Sequence, residues 1–367
     1  MINISELKLG DEERQLISDI LTSGQLAQGA RVAEFEEQFR HISGGRYVAA
    51  VSSGTAALTL ALKALGIGAG DEVITTPFTF AATVNAILDS GASARLVDIQ
   101  ADTYLIDPSL VATAITDRTR AIMPVHLFGQ PADMGEISAI AQRGQIRIVE
   151  DAAQAHGALY KNTPVGSFDV AAFSFYATKN LSTGEGGAVT TNDSGVDDAV
   201  RTLRNQGMRN RYEYVTNGYN HRMTEIAAAI GIAQMRGLHA RNERRRANAE
   251  GLIERLRDID FIRLPVTRRD RSHAWHQFTI ALDLKVVLDR DDFVAKLRQR
   301  GVIAGIYYPR SLTEYGAFRG NSNVICDSDI VARDAARRVV SLPVHPYLSE
   351  SDLDVIADAV RAAGGRQ

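Results

Sequence analysis

Residues 169–192 read DVAAFSFYATKNLSTGEGGAVTTN. Two apolar runs, DVAAFSF and GAVTTN, flank a polar stretch holding one lysine, Lys179, and three glycines, Gly184, Gly186 and Gly187. Continuous apolar runs of this length suit strands covered on both faces. The glycines permit a tight return between them. Similar runs stand upstream at 70–76, 94–99, 120–129 and 146–153, with helical patterns at 80–91 and 133–143. Such alternation predicts an α/β domain with a mostly parallel sheet.

Downstream the pattern changes. Residues 221–250 form one long helical stretch, apolar and Ala-rich at first, then Arg-rich (RNERRR, 241–246). The second half reads as a solvated helix face that leaves the core and crosses to another domain. WHQFTIAL (275–282) alternates like a half-exposed strand, and helical patterns follow at 290–300, 327–338 and 349–363. The chain therefore divides into a large domain, 1–240, and a smaller α+β domain, 241–367, with the N-terminal segment free to join either.

Bulk composition narrows the function classes. An apolar fraction of 45% and a charged fraction of 23% fit a globular protein with a large core. Net charge is −3 with both signs intermixed, which gives no polybasic face for nucleic acid. The start, MINISELKLGDEERQLI, has neither the basic nor the apolar region of a secretion signal. No apolar run approaches the roughly 20 residues of a membrane span. A cytoplasmic chain without membrane attachment is expected. The single cysteine, Cys326, excludes a disulfide framework within one chain. It reads as a small apolar residue near the start of a C-terminal helix, and no metal site is expected.

Six lysines stand against thirty-five arginines, so Lys179 is conspicuous. Arginine stays protonated, whereas a lysine in the right surroundings loses its proton and attacks a carbonyl. Three other stretches carry polar residues where strands end. Ser53-Gly54-Thr55 precedes an amphipathic helix, a site for an anion or simply an N-cap. Phe78 and Phe80 follow the strand at 70–76, where a ring can lie on a flat cofactor or pack in the core. Glu150-Asp151 ends the strand at 146–153 and is followed by Gln154 and His156. A carboxylate there suits a ligand crevice of an open α/β sheet.

One molecule fits all four stretches. Pyridoxal phosphate (PLP) needs a lysine for its aldehyde, an anion site for its phosphate, a carboxylate opposite its ring nitrogen and an apolar surface for its ring. Lys179, then Ser53-Gly54-Thr55 with Ser174, then Asp151, then Phe80 meet these needs in turn.

The set SSGTAAL, TTPFTFAATVN, VEDAAQAHGA, SFYATKNLSTGEGG and GYNHRMTEIAAAIG resembles the DegT/DnrJ/EryC1/StrS sugar aminotransferases. The resemblance spans the chain, from SGQLAQG (23–29) to SLPVHPYLSESDLDVI (341–356). It implies the aspartate-aminotransferase fold (fold type I) and a homodimer with active sites shared between subunits. It also implies that Lys179 carries the cofactor and later moves the substrate proton, and that Asp151 pairs with the ring nitrogen. Gln154 then reaches the ring hydroxyl, Phe80 stacks on the ring, and Gly54, Thr55 and Ser174 hold the phosphate. Asn220 reaches the phosphate of the neighbouring subunit's cofactor. Tyr176-Ala177 departs from the His-Pro or Asn-Pro of many relatives, which changes the local lining. A branch with His at the lysine position performs dehydration; Lys179 points away from it.

For the substrate, Arg222, His276 and Tyr308 are candidates; Trp275 with His276 is also compatible with plain packing. The resulting expectation is transfer of an amino group from L-glutamate to C4 of a dTDP- or UDP-linked 4-keto-6-deoxyhexose. The rivals are amination at C3, amination of a keto-cyclitol, and a regulatory or binding relative that has lost catalysis.

Overall fold

The computed structural model describes residues 1–287 and 289–364. Its main sheet has eight strands, ordered edge to edge Tyr47–Val51, Gly187–Thr191, Val170–Ser174, Arg147–Asp151, Thr119–Ile122, Glu72–Thr75, Ser93–Leu96 and Val324–Cys326. Only Gly187–Thr191 runs against the rest. The mostly parallel α/β sheet is as the sequence predicts. The carboxyl ends of seven strands therefore share one edge, the edge at which α/β sheets bind ligands.

Helices cover both faces. On one, Gly54–Ala64 buries every residue from Ala56 to Leu62 against the sheet and the helix Ala81–Ser90. Gly91 ends that second helix at φ 93°, where a side chain would be strained. On the other face, Phe35 and Phe39 meet Phe173 and Phe175 edge to face, with ring centroids 5.0–5.1 Å apart. Each such buried ring contributes on the order of 1.5–3 kcal/mol through removal from water.

A second core lies in the C-terminal third. Phe278–Leu282 is the central strand of a three-stranded antiparallel sheet, between Ile262–Arg263 and Val339–Leu342. The helices Arg290–Gln299 and Glu350–Gly364 pack on this unit, and Leu238–Leu256 adds Ala249, Leu252 and Leu256. No helix among the described residues is long and apolar enough to cross a membrane.

Four expectations change. The helical stretch 221–250 is two helices, Glu225–Arg236 and Leu238–Leu256, that meet at Gly237. Residues 221–223 are not helical: Ser52 N–H donates to the His221 carbonyl at 2.8 Å, and Thr224 caps the helix only afterwards. The Arg-rich face divides by position. Arg246 is exposed, whereas Arg245 is buried and donates to the Trp275 carbonyl at 3.1 Å. The strand Phe278–Leu282 is buried throughout, because Thr279 satisfies its hydroxyl against Ser341 at 2.8 Å. Cys326 does precede a helix, but that helix begins only at Ile330, and the residue itself ends an edge strand paired in parallel with Ser93–Leu96.

Two N-terminal helices, Asp11–Ser23 and Ala30–Ser43, have no counterpart in the pattern read from sequence. The second begins at Gly29, which has no side chain to cap it. The buried Glu225 carboxylate caps it instead, accepting N–H bonds from Gly29 (2.8 Å), Arg31 (3.0 Å) and Val32 (2.9 Å). A carboxylate there satisfies orphan donors and faces the positive end of the helix dipole.

Candidate active site

Adjacent parallel strands bring Asp151 and Ser174 to the same edge of the sheet. The helix beginning at Gly54 starts on this edge and touches Ser174. A Cβ on Gly54 would stand 2.6 Å from the Ser174 Cβ, so only glycine permits the approach. Ser53 Oγ accepts the Ala56 N–H at 3.1 Å and is used as the N-cap. Thr55 is exposed, and the first-turn N–H groups of Gly54 and Thr55 have no partner within the helix.

Asp151 is buried. Its Oδ2 accepts the Thr83 hydroxyl at 2.8 Å, and Thr83 is in turn 2.9 Å from the Thr79 hydroxyl. Its Oδ1 has only a long bond from the Ala153 N–H, 3.3 Å. Burial raises the Asp151 pKa, against the Thr83 bond, the Ala153 N–H and the nearby Lys179 charge. A carboxylate this poorly compensated suits a cationic ring nitrogen as partner.

Lys179 lies in the turn after Ser174, its N–H donating to the Tyr176 carbonyl at 2.9 Å. The residue is partly exposed, but its amine is desolvated. Burial lowers its pKa to about 8, against the opposing attraction of Asp151. At pH 7 about one amine in ten is then neutral, where an ordinary lysine has fewer than about one in a thousand. The amine is thus primed for attack on a carbonyl.

Gln154 accepts the Phe128 N–H on Oε1 at 2.6 Å and donates from Nε2 to the Tyr308 hydroxyl at 3.1 Å. The Tyr308 ring lies 6.1 Å from that of Phe80, which is 60% exposed at the head of the helix Ala81–Ser90. Phe78, by contrast, is fully buried. Phe80 is the ring left free to meet a flat ligand.

The chain thus assembles Lys179, Asp151, Gln154, Tyr308, Phe80, Gly54 and Ser174 around one edge. His276 is buried, with Nδ1 3.3 Å from Asn180 Oδ1. Asn220 and Arg222 flank His221 beside the strand end at Val51 and Ser52, but no side-chain hydrogen bond joins either to Asp151, Gln154 or Lys179 among the described residues. Asn220 is exposed and pairs through its backbone with Asn205. Arg222 donates to Asn205 Oδ1 at 2.7 Å and lines a cavity of about 1150 Å³ with Gln28, Lys63 and Arg209. Thr83 and Phe128 escape the sequence reading. Thr83 follows Phe80 by one helical turn and was open to detection by spacing, whereas the Phe128 contribution is a backbone N–H that any residue carries.

Two imidazoles behind this edge set an acid limit on the fold. His156 is buried between Phe173 and Phe175, and neither ring nitrogen has a hydrogen-bond partner among the described residues. Burial, then the Lys179 charge, lowers its pKa to about 3. The same two causes hold His276 well below its usual value. Unfolded, both titrate near about 6.5, so above that pH neither affects stability. Below it the unfolded chain takes up protons that the fold refuses, and stability falls as the pH drops from about 6.5 towards about 3. At pH 5 His156 alone costs about 2 kcal/mol. Asp151, with its raised pKa, works in the opposite sense, so the comparison is between variants. Denaturation of wild type and His156→Phe at pH 7 and pH 5 should show a slope smaller by about one proton in the variant; equal slopes would refute the assignment.

The chain is similar to known proteins along nearly its whole length. The family model described as the DegT/DnrJ/EryC1/StrS aminotransferase family matches residues 7–361. The spore coat polysaccharide biosynthesis protein SpsC of Bacillus subtilis (strain 168) is 38% identical over 370 residues, 96% of this chain and 94% of its own. DesV of S. venezuelae, solved with a ketimine intermediate, is 39% identical, covers 97% of this chain and 95% of its own, and superposes with a TM-score of 0.93. Spr1654 of Streptococcus pneumoniae, solved in a PLP form, is 26% identical with a TM-score of 0.91, covering 99% of this chain and 98% of its own.

Proposed function

Since the chain belongs to the DegT/DnrJ/EryC1/StrS aminotransferase family, we propose that it moves an amino group from L-glutamate to a nucleotide-linked keto-sugar. The proposed acceptor position is C4 of a dTDP- or UDP-linked 4-keto-6-deoxyhexose, and the proposed compartment is the cytoplasm. The enzyme is a PLP-dependent aminotransferase of fold type I. One observation carries the reading at the level of chemistry: a desolvated lysine amine and a poorly compensated buried carboxylate share the edge at which Gly54 closes on Ser174.

The residues fit the cofactor. The Gly54–Ser174 contact offers a helix N-terminus to its phosphate, and Asp151 offers a fixed negative charge to its ring nitrogen. Phe80 offers an open aromatic face. When bound, PLP supplies an aldehyde for the lysine and a ring that takes up electrons. Lys179 then serves twice, as the amine that anchors and as the base that carries a proton on Nζ. An amine with a pKa of about 8 can both accept and return a proton near neutral pH. Asp151 would keep the ring nitrogen protonated, and Gln154 would donate towards the ring oxygen.

A homodimer is part of this reading. Asn220 is exposed with no hydrogen bond to the Lys179 edge of its own chain among the described residues. Tyr212 (70% exposed), Tyr214 (63%) and Val215 (46%) surround the hairpin just before it, an apolar surface for a second subunit. In the sugar preference, the family relative SpsC, named for polysaccharide biosynthesis, is in keeping with a sugar acceptor.

The test is a product assay. Glutamate is supplied with dTDP-, UDP- and GDP-linked 4-keto-6-deoxyhexoses, a 3-keto isomer and a keto-inositol, and the aminated carbon is located by NMR. Amination at C4 of a dTDP or UDP sugar supports the proposal. Amination of the cyclitol alone, or at C3 alone, overturns the substrate assignment.

A further inference from the structure

Glu150 and Asp151 are neighbours on one strand, so their side chains leave opposite faces of the sheet. Asp151 turns towards the site. Glu150 is fully buried on the far side, beside an equally buried His126. The Glu150 carboxylate accepts N–H bonds from Gly166 (3.1 Å) and Phe168 (3.1 Å), and its Oε2 lies 3.0 Å from His126 Nε2. His126 Nδ1 accepts the Ala132 N–H at 3.0 Å. That nitrogen is therefore bare, the ring hydrogen is on Nε2, and it donates to Glu150.

His126 also opens a tight turn. Its own N–H donates to the Asp151 carbonyl at 3.1 Å, and it precedes the turn Leu127–Gly129. Within that turn Phe128 holds φ 60°, ψ 0°, left-handed backbone that costs a side-chain-bearing residue about 1–3 kcal/mol. This conformation delivers the Phe128 N–H to Gln154 Oε1 at 2.6 Å. The amide has then no freedom of orientation: flipped, its NH₂ would face another donor. Its NH₂ must point outward, where it meets the Tyr308 hydroxyl.

We propose that Glu150 and His126 form a positioning pair that holds the strained turn and so fixes Gln154 as a hydrogen-bond donor to the ring oxygen of bound PLP. The inference rests on the PLP reading of the site. Neither side chain bonds a side chain of that site; the pair acts through the Phe128 N–H, and the backbone bond from His126 N–H to the Asp151 carbonyl is common to every variant. With the pair broken, the turn relaxes, the amide turns freely, and the donor is lost for part of the time.

The readout is the visible absorption of the PLP-loaded protein as a function of pH. A donor to the ring oxygen stabilises its anionic form, so loss of the donor raises the titration midpoint. Asp151, Lys179 and Tyr308 face the same space and are common to every variant. Gln154→Ala should raise the midpoint by about one pH unit, a ten-fold change. Glu150→Gln, whose amide NH₂ must face either the His126 Nε2–H or the Phe168 N–H, should raise it at least three-fold in proton affinity. In the Gln154→Ala background Glu150→Gln should add nothing. His126→Leu should behave like Glu150→Gln, while His126→Gln, which keeps a donor at similar reach, should stay near wild type.

A midpoint unmoved by Glu150→Gln and His126→Leu while Gln154→Ala shifts it would overturn the proposal, as would full additivity in the double variant. If Glu150→Gln fails to fold, the two His126 variants decide. A wild-type protein that shows no titrating visible band with added PLP would instead bring down the reading of the site itself.

Discussion

Lys179→Ala should lose more than about 10³-fold in turnover, because one amine supplies both the anchoring nucleophile and the proton carrier. Its effect on cofactor retention should be far smaller, since the Gly54–Ser174 cradle and Asp151 remain. Borohydride reduction of the PLP-loaded wild type, followed by digestion and mass measurement, should place the cofactor on the peptide carrying Lys179. The five other lysines serve as internal controls. An adduct on one of those, or amination by the variant at a tenth of the wild-type rate, would remove Lys179 from its assigned role. The pH profile adds a further check. With a pKa of about 8, capture of PLP by the apoprotein, which requires a neutral amine, should speed up as the pH rises through 8, well below the pH of an ordinary lysine.

Asp151→Asn is expected to separate stability from catalysis. The substitution keeps the shape, and an amide oxygen can still accept the Thr83 hydroxyl now 2.8 Å from Oδ2. What goes is the charge. Removing one partner of a buried ion pair costs about 3–5 kcal/mol, which corresponds to roughly 10²–10⁴-fold in turnover. The apoprotein should behave otherwise. Burial raises the Asp151 pKa because no cation there fully compensates it, so the neutral amide should melt no lower than wild type. A variant that retains turnover within five-fold of wild type would show that the ring nitrogen is not paired with this carboxylate. Thr83→Val is the milder companion. It removes one hydrogen bond from a carboxylate that stays charged, and about ten-fold in turnover is expected.

Much of this was legible before any coordinates. The apolar runs at 70–76, 146–153 and 169–175 are local signals, and each forms a strand of the main sheet. The return from Ser174 to Gly187 through Lys179 could be read from glycine placement alone. The long helix at 221–250 could not be divided correctly, because Gly237 is a weak break. What ends the upstream coil is the tie between His221 and Ser52, a contact across more than 160 residues of chain. The strand at 278–282 looked half-exposed because Thr279 is polar. Its burial depends on Ser341, which alternation along one strand does not reveal.

The sequence by itself determined the strand order's raw material, the glycine at which a helix and a strand end close together, and the chemical types of the lysine, acid and aromatic at the edge. Periodicity and turn chemistry are properties of neighbours, so they survive without the fold. Only the tertiary structure decided how those groups are charged and aimed. The Lys179 amine is lowered by burial that distant elements create, Glu225 caps a helix some 195 residues away, and Gln154 takes its direction from a backbone N–H. Desolvation and hydrogen-bond direction depend on what lies across space, and every residue type offers the same backbone donor.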